Sequence, residues 1–204
     1  RDINEFSSVV KEVIKNVFIP VACGGGIRTL DDAKLLLNSG ADKIVVNTTL
    51  HSDKDLINTL VKNYGSQFVV GSVDFQIEND IKKVYIENGE HKIDKNLEDY
   101  LEEVEKLSIG EIYLNSIQKD GTGQGYDIKH LADTLDKITT PIILSGGAGN
   151  HLHLIEGLKI NSVDAVATAN LFNFLGDALP KARIKIMEEE LQLANFESIN
   201  DVFK

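Results

Sequence analysis

Apolar positions along the chain follow two alternating rhythms. Over residues 5–16, Phe6, Val9, Val10, Val13 and Ile14 recur at helical spacing. Residues 17–23 are then a continuous apolar run, the pattern of a strand buried on both faces. The alternation predicts helix 30–39, opened by a capping box from Thr29 to Asp32 and closed by Gly40. Strand 43–47 follows, then helix 53–64 between Ser52 as cap and Gly65, then the Val-rich strand 67–74. A polar loop over 75–80 and a hairpin, 82–87 with 90–93, interrupt the rhythm. The hairpin turns at Asn88-Gly89. An acidic helix 97–107 capped by Asn96 comes next, then strand 111–116 and a loop punctuated by Gly121, Gly123 and Gly125. Helix 128–137, strand 141–145, helix 150–159, strand 163–168 and an amphipathic helix 177–192 complete the pattern. No low-complexity linker divides these elements, so residues 1–204 read as one domain.

Strands and helices alternating at this spacing imply right-handed crossovers and a parallel sheet. Two strand ends also resemble one another. Pro20 and Val21 lead into Cys23-Gly24-Gly25-Gly26, and Pro141 leads into Ser145-Gly146-Gly147-Ala148-Gly149. The likeness extends downstream, where residues 38–47 parallel residues 161–170. Such an internal repeat is stronger than any single glycine run. Six strand–helix units are visible, and a repeat of four units each would make eight. The expected fold is therefore a (β/α)8 TIM barrel built from two half-barrel repeats, with its first one to two units, roughly 54 residues, upstream of Arg1. A doubly wound open sheet is the alternative, but it leaves the half-chain repeat unexplained.

The glycine turns set the candidate chemistry. Glycine lets a ligand approach the backbone closely, and bare N–H groups after a strand suit phosphate. Two such turns across a barrel predict a long ligand with a phosphate at each end. In barrels the chemistry sits at the strand C-terminal ends, where Asn47, Asp74, Ser116, Asp120 and Ser145 fall. Asp74 and Asp120 form the candidate acid/base pair, with helix capping or turn formation as the alternative for each. The five histidines lack metal spacing, and His151 and His153 read as capping or solvent-facing. Tyr113 and Phe172 read as packing residues, and Cys23 as a small core residue. No metal and no cofactor is expected. The single cysteine fits a reducing, cytoplasmic setting. A net charge of −11 argues against nucleic acid or an anionic membrane as partner. No apolar run reaches the length of a membrane span.

Several motifs together resemble a known family. They are residues 18–28 with Cys23-Gly24-Gly25-Gly26-Ile27-Arg28, residues 40–47 with Lys43 and Asn47, residues 110–116, Lys119-Asp120-Gly121-Thr122, Gly125-Tyr126-Asp127 and Ser145-Gly146-Gly147-Ala148-Gly149. In this order they look like the cyclase subunit of imidazole glycerol phosphate synthase, over about residues 9–175. The resemblance implies a barrel that receives ammonia from a glutaminase subunit as a heterodimer. It would convert a phosphoribulosyl aminoimidazole carboxamide nucleotide into imidazole glycerol phosphate and an aminoimidazole carboxamide ribotide, in histidine biosynthesis. It implies Asp74 as a general acid/base, with the family's first catalytic aspartate on a strand upstream of this chain. It implies substrate and phosphate contacts at Gly26, Asn47, Thr48, Asp120, Gly121, Ser145, Gly146, Gly147, Ala169 and Asn170. It further implies an ammonia gate at Lys43 and Glu111. Departures occur at Gln118-Lys119, where the family usually has Asp-Arg, and at Asn115, Asn170 and Asn173. The tail over 171–180 also looks unlike the usual ending and is similar to paralogues of surface-polysaccharide clusters, which pass ammonia to a sugar amidotransferase. A sister isomerase of the pathway and a non-catalytic glutaminase-docking barrel are further alternatives.

Overall fold

A computed structural model describes residues 2–169 and 178–193. Six parallel strands pair in the order β1 (Ala22–Gly24), β2 (Lys43–Val46), β3 (Val69–Glu78), β6 (Glu111–Ser116), β7 (Ile142–Ser145) and β8 (Ala165–Val166). A hairpin, β4 (Ile81–Ile86) and β5 (His91–Asn96), pairs antiparallel with the far end of β3. Helices α1 (Ile3–Ile14), α2 (Leu30–Asn38), α3 (Thr48–Ser52), α4 (Lys54–Tyr64), α5 (Leu97–Glu105), α6 (Ile128–Leu135), α7 (His151–Leu158) and α8 (Ala178–Glu188) occupy the connections and the tail. Among the described residues β1 and β8 each have one strand neighbour, so the sheet is an arc with two open edges.

Burial along the strands shows which face the helices cover. Ile44 and Val46 of β2 are buried while Lys43 and Val45 between them are half-buried. On β6, Ile112, Leu114 and Ser116 are buried and Glu111, Tyr113 and Asn115 are not. A strand between two helical layers would be buried at every position. Alternation means that one face packs on helices, through Ala33, Leu36, Ile57, Leu60, Leu101 and Leu131, while the other turns toward an open interior. That single-sided covering belongs to a barrel arc and not to a doubly wound sheet. Among the described residues no helix is long and apolar enough to cross a membrane.

Capping decides most helix starts. Thr29 accepts from the Asp32 N–H while Asp32 accepts from the Thr29 N–H, the expected box. Asn96 and Asn150 cap α5 and α7. For α4 the cap is Asp53, not Ser52, because its carboxylate reaches the Leu56 N–H at 2.9 Å. Two other expectations need correction. Residues 17–21 lie outside the strand, which pairs only from Ala22 opposite Lys43, and Phe18 is 97% exposed. Residues 75–78 continue β3 instead of forming a loop, since each pairs with β4. The chain then reverses at Asn79 and Asp80, both in the left-handed region.

Candidate active site

The first glycine turn opens a cavity of about 620 Å³. Its floor is residues 24–28, its sides are residues 45–49 and Asp74, and the tip of the β4–β5 hairpin closes it. Gly25 and Gly26, with φ of 107° and 80°, line this cavity in a conformation that glycine adopts without strain, and neither has a side chain to fill it. Several bonds stiffen the turn. The Arg28 and Thr29 N–H groups both donate to the Asp32 carboxylate, at 2.9 and 2.8 Å. The buried Thr49 hydroxyl donates to the Ile27 carbonyl at 2.5 Å. Thr48 takes the Glu87 N–H at 3.3 Å, which fixes the hairpin tip as a wall. Arg28 brings a cation to the lining.

Asp74 stands on β3 beside this cavity, and two amides hold it. Asn47 Nδ2 donates to one carboxylate oxygen at 3.3 Å, and Asn115 Nδ2 donates to the other at 3.2 Å. Asn115 lies on β6, in register with Asp74 on β3, and Asn47 directly follows the end of β2 on the other side. Burial pushes the Asp74 carboxyl above the usual aspartate range; the Asn115 bond opposes that shift and the Asp120 charge adds to it. A carboxyl shifted in this direction holds its proton more readily than a free aspartate, which suits a group that must both give and take one. Replacing Asn115 with leucine removes the opposing donor at similar volume. The Asp74 titration, followed by carboxyl-carbon NMR, is expected to move to higher pH. An unchanged midpoint would show that the amide has no hold on the carboxylate.

The second glycine turn lines a smaller cavity with Tyr113, Asp120, Gly121, Ser145 and Ala169. Ser145, Gly146 and Gly147 are buried, whereas Asp120 is exposed at the rim. The loop that carries Asp120 is anchored from below. Asp127, 6% exposed, accepts from the Ser116 hydroxyl and from Gln118 Nε2, and Gln118 Oε1 in turn accepts from the Ile77 N–H at 3.2 Å. The Gln118 departure therefore has a structural use. His153 caps locally, accepting from the Gly149 N–H at 3.1 Å. Asn170, Asn173 and Phe172 lie outside the described residues.

Lys43 and Glu111 meet at 2.5 Å, each roughly a quarter exposed. They are the first residues of strands that do not neighbour one another, so the pair crosses the inner face of β3. Asn115 is four residues above Glu111 on one strand, about 13 Å along it. The ion pair thus sits at the opposite end of the interior from Asp74. Sequence reasoning placed both groups but missed the two asparagine amides and the Thr49 anchor. It also took Tyr113 for packing, although its hydroxyl reaches the second cavity. Cys23 is a buried core residue, as expected. Among the described residues no group of three or more His, Cys, Asp or Glu could hold a metal ion.

Residues 2–176 match the sequence model of a family described as Histidine biosynthesis protein. The chain belongs to this family. Within it, a relative from Parasynechococcus marenigrum (strain WH8102) is 42% identical over 184 residues, covering 90% of this chain and 68% of its own. That relative is provisionally named imidazole glycerol phosphate synthase subunit hisF2. A relative from Hydrogenobaculum sp. (strain Y04AAS1), named imidazole glycerol phosphate synthase subunit HisF, is 38% identical over 192 residues, 93% of this chain and 76% of its own. Another of that name, from Pyrobaculum aerophilum, is 40% identical over 169 residues, 83% of this chain and 66% of its own.

Proposed function

We propose that this chain is the cyclase subunit of imidazole glycerol phosphate synthase, an enzyme that uses ammonia from a glutaminase partner. One observation carries the reading. Asp74, held by two amides, stands between two glycine-turn cavities at the same ends of the parallel strands. A ligand with a phosphate at each end would span the two turns and present its middle to Asp74. Adding ammonia to a carbonyl carbon leaves a proton to be removed from nitrogen. Closing the ring and releasing the second product require protons to be returned. A carboxyl raised above its usual range can do both. The relatives are named as subunits of imidazole glycerol phosphate synthase; the resemblance implies the phosphoribulosyl aminoimidazole carboxamide nucleotide as substrate and the aminoimidazole carboxamide ribotide as second product.

The Lys43–Glu111 pair at the far end of the interior supports an ammonia entrance facing the glutaminase. The two open edges at β1 and β8 support a single (β/α)8 barrel domain closed by one to two further strand–helix units; by the resemblance, the first strand would bear the family's other catalytic aspartate. A soluble, cytoplasmic heterodimer follows from this role. Titrating the full-length protein with the bisphosphate nucleotide is expected to give one binding event that shifts the backbone amides of both Gly26 and Gly147. Response at only one turn would reject the two-ended grip. A second reading, an ammonia-passing subunit of a surface-sugar amidotransferase, is favoured by the departures at Asn115 and Gln118.

A further inference from the structure

Tyr113 is not explained by packing. It lies between Glu111 and Asn115 on the inner face of β6, half-buried, in the column that joins the ion pair to Asp74. Its ring leaves that column toward the next strand. The Tyr113 and Ser145 hydroxyls are 2.6 Å apart, and both line the second cavity with Gly146 and Gly147. Among the described residues that line this cavity, the carboxyl of Asp120 is the one acidic group besides the phenol. Among its described lining residues none is a cation, so the donors these offer a phosphate are neutral.

We infer that Tyr113 is a ligand-binding residue of the second cavity, where its hydroxyl and that of Ser145 together hold one phosphate oxygen. The chemistry follows from counting hydrogens. Two hydroxyls offer two protons, and one is used in the bond between them. The other has no acceptor among the described residues and is left for the cavity. A phosphate oxygen that accepts it completes a chain of hydroxyl, hydroxyl and anion, in which each bond polarises the next. The remaining donors are backbone N–H groups of the glycine turn, which carry no side chain to obstruct them. The class of ligand this favours is a phosphate monoester bound through neutral donors.

This inference rests on the proposed reading of the second cavity as a phosphate site, and one experiment separates the two. Inorganic phosphate is titrated into the full-length protein while the amide NMR signals of Gly26 and Gly147 are followed, so that each turn reports on itself. In the wild type both signals are expected to saturate. In Tyr113→Phe, affinity read at Gly147 should fall about three- to tenfold, the scale of one hydrogen bond, with Gly26 unchanged as the measure of an intact fold. Ser145→Ala should lower it similarly, and the double variant should fall no further than the larger single loss. Wild-type affinity at Gly147 in Tyr113→Phe, or full additivity in the double variant, overturns the role of Tyr113. A Gly147 signal that never responds in the wild type overturns the cavity reading itself, and this inference with it.

Discussion

Asp74→Asn is expected to lower ammonium-dependent turnover by roughly 10²–10⁴-fold, the range lost when a positioned acid/base is removed. The substitution keeps volume and most of the shape. It removes the group that can carry a proton, and it places an N–H₂ against one of two amides that already donate. One buried donor then loses its acceptor, so stability should also fall by about 1–2 kcal/mol. Binding of the bisphosphate nucleotide, measured by calorimetry, should persist, because its phosphates are held at the two turns. Turnover is read as product formation with an ammonium salt in place of the glutaminase. A variant with undiminished rate would remove Asp74 from the chemistry.

Gly147→Ala is expected to lose both stability and phosphate binding at the second cavity. Gly147 has φ of 104°, and a Cβ built there would stand 2.2 Å from the Gly125 carbonyl oxygen. That neighbour is backbone and is fixed in turn, since the Gly125 N–H donates to the Gly147 carbonyl at 2.8 Å. Neither side can move without opening the loop that carries Asp120. The expected loss is about 2–4 kcal/mol, from strain plus the clash. Gly65 provides the contrast: its φ is 90°, but a Cβ there meets nothing within 4 Å. Gly65→Ala should therefore lose less, about 1–3 kcal/mol, the strain of the positive-φ backbone (φ 90°, ψ 156°) alone. Denaturant unfolding of the two variants checks the difference, and equal losses would show that the contact with Gly125 is not what constrains the turn.

Much of the architecture was legible because local patterns and packing agree. Strand 111–116 is read correctly since its alternation matches its one-sided burial. The Thr29 box and the Asn96 cap need only nearby residues. The misreadings have physical causes. Residues 17–21 are apolar, but a strand exists only where a ladder forms, and pairing begins at Ala22. Residues 75–78 look polar because Gln76 and Glu78 alternate with Phe75 and Ile77, which is the pattern of a strand with one wet face. The glycine turns and Asp74 were legible as motifs. What surrounds Asp74 was not, because the Asn47 and Asn115 amides reach it from positions 27 and 41 residues away in sequence. Tyr113 was missed for the same reason: its partner is 32 residues away on the next strand.

The measurement that bears most directly on the account is product analysis of the full-length protein with the phosphoribulosyl nucleotide and ammonium salt. The reading predicts imidazole glycerol phosphate and the aminoimidazole carboxamide ribotide in equal amounts. It also predicts that the rate follows the concentration of free ammonia, since the neutral base is the nucleophile. Binding of the nucleotide at both turns with no product at any ammonia concentration would contradict a cyclase and leave a barrel that only passes ammonia onward.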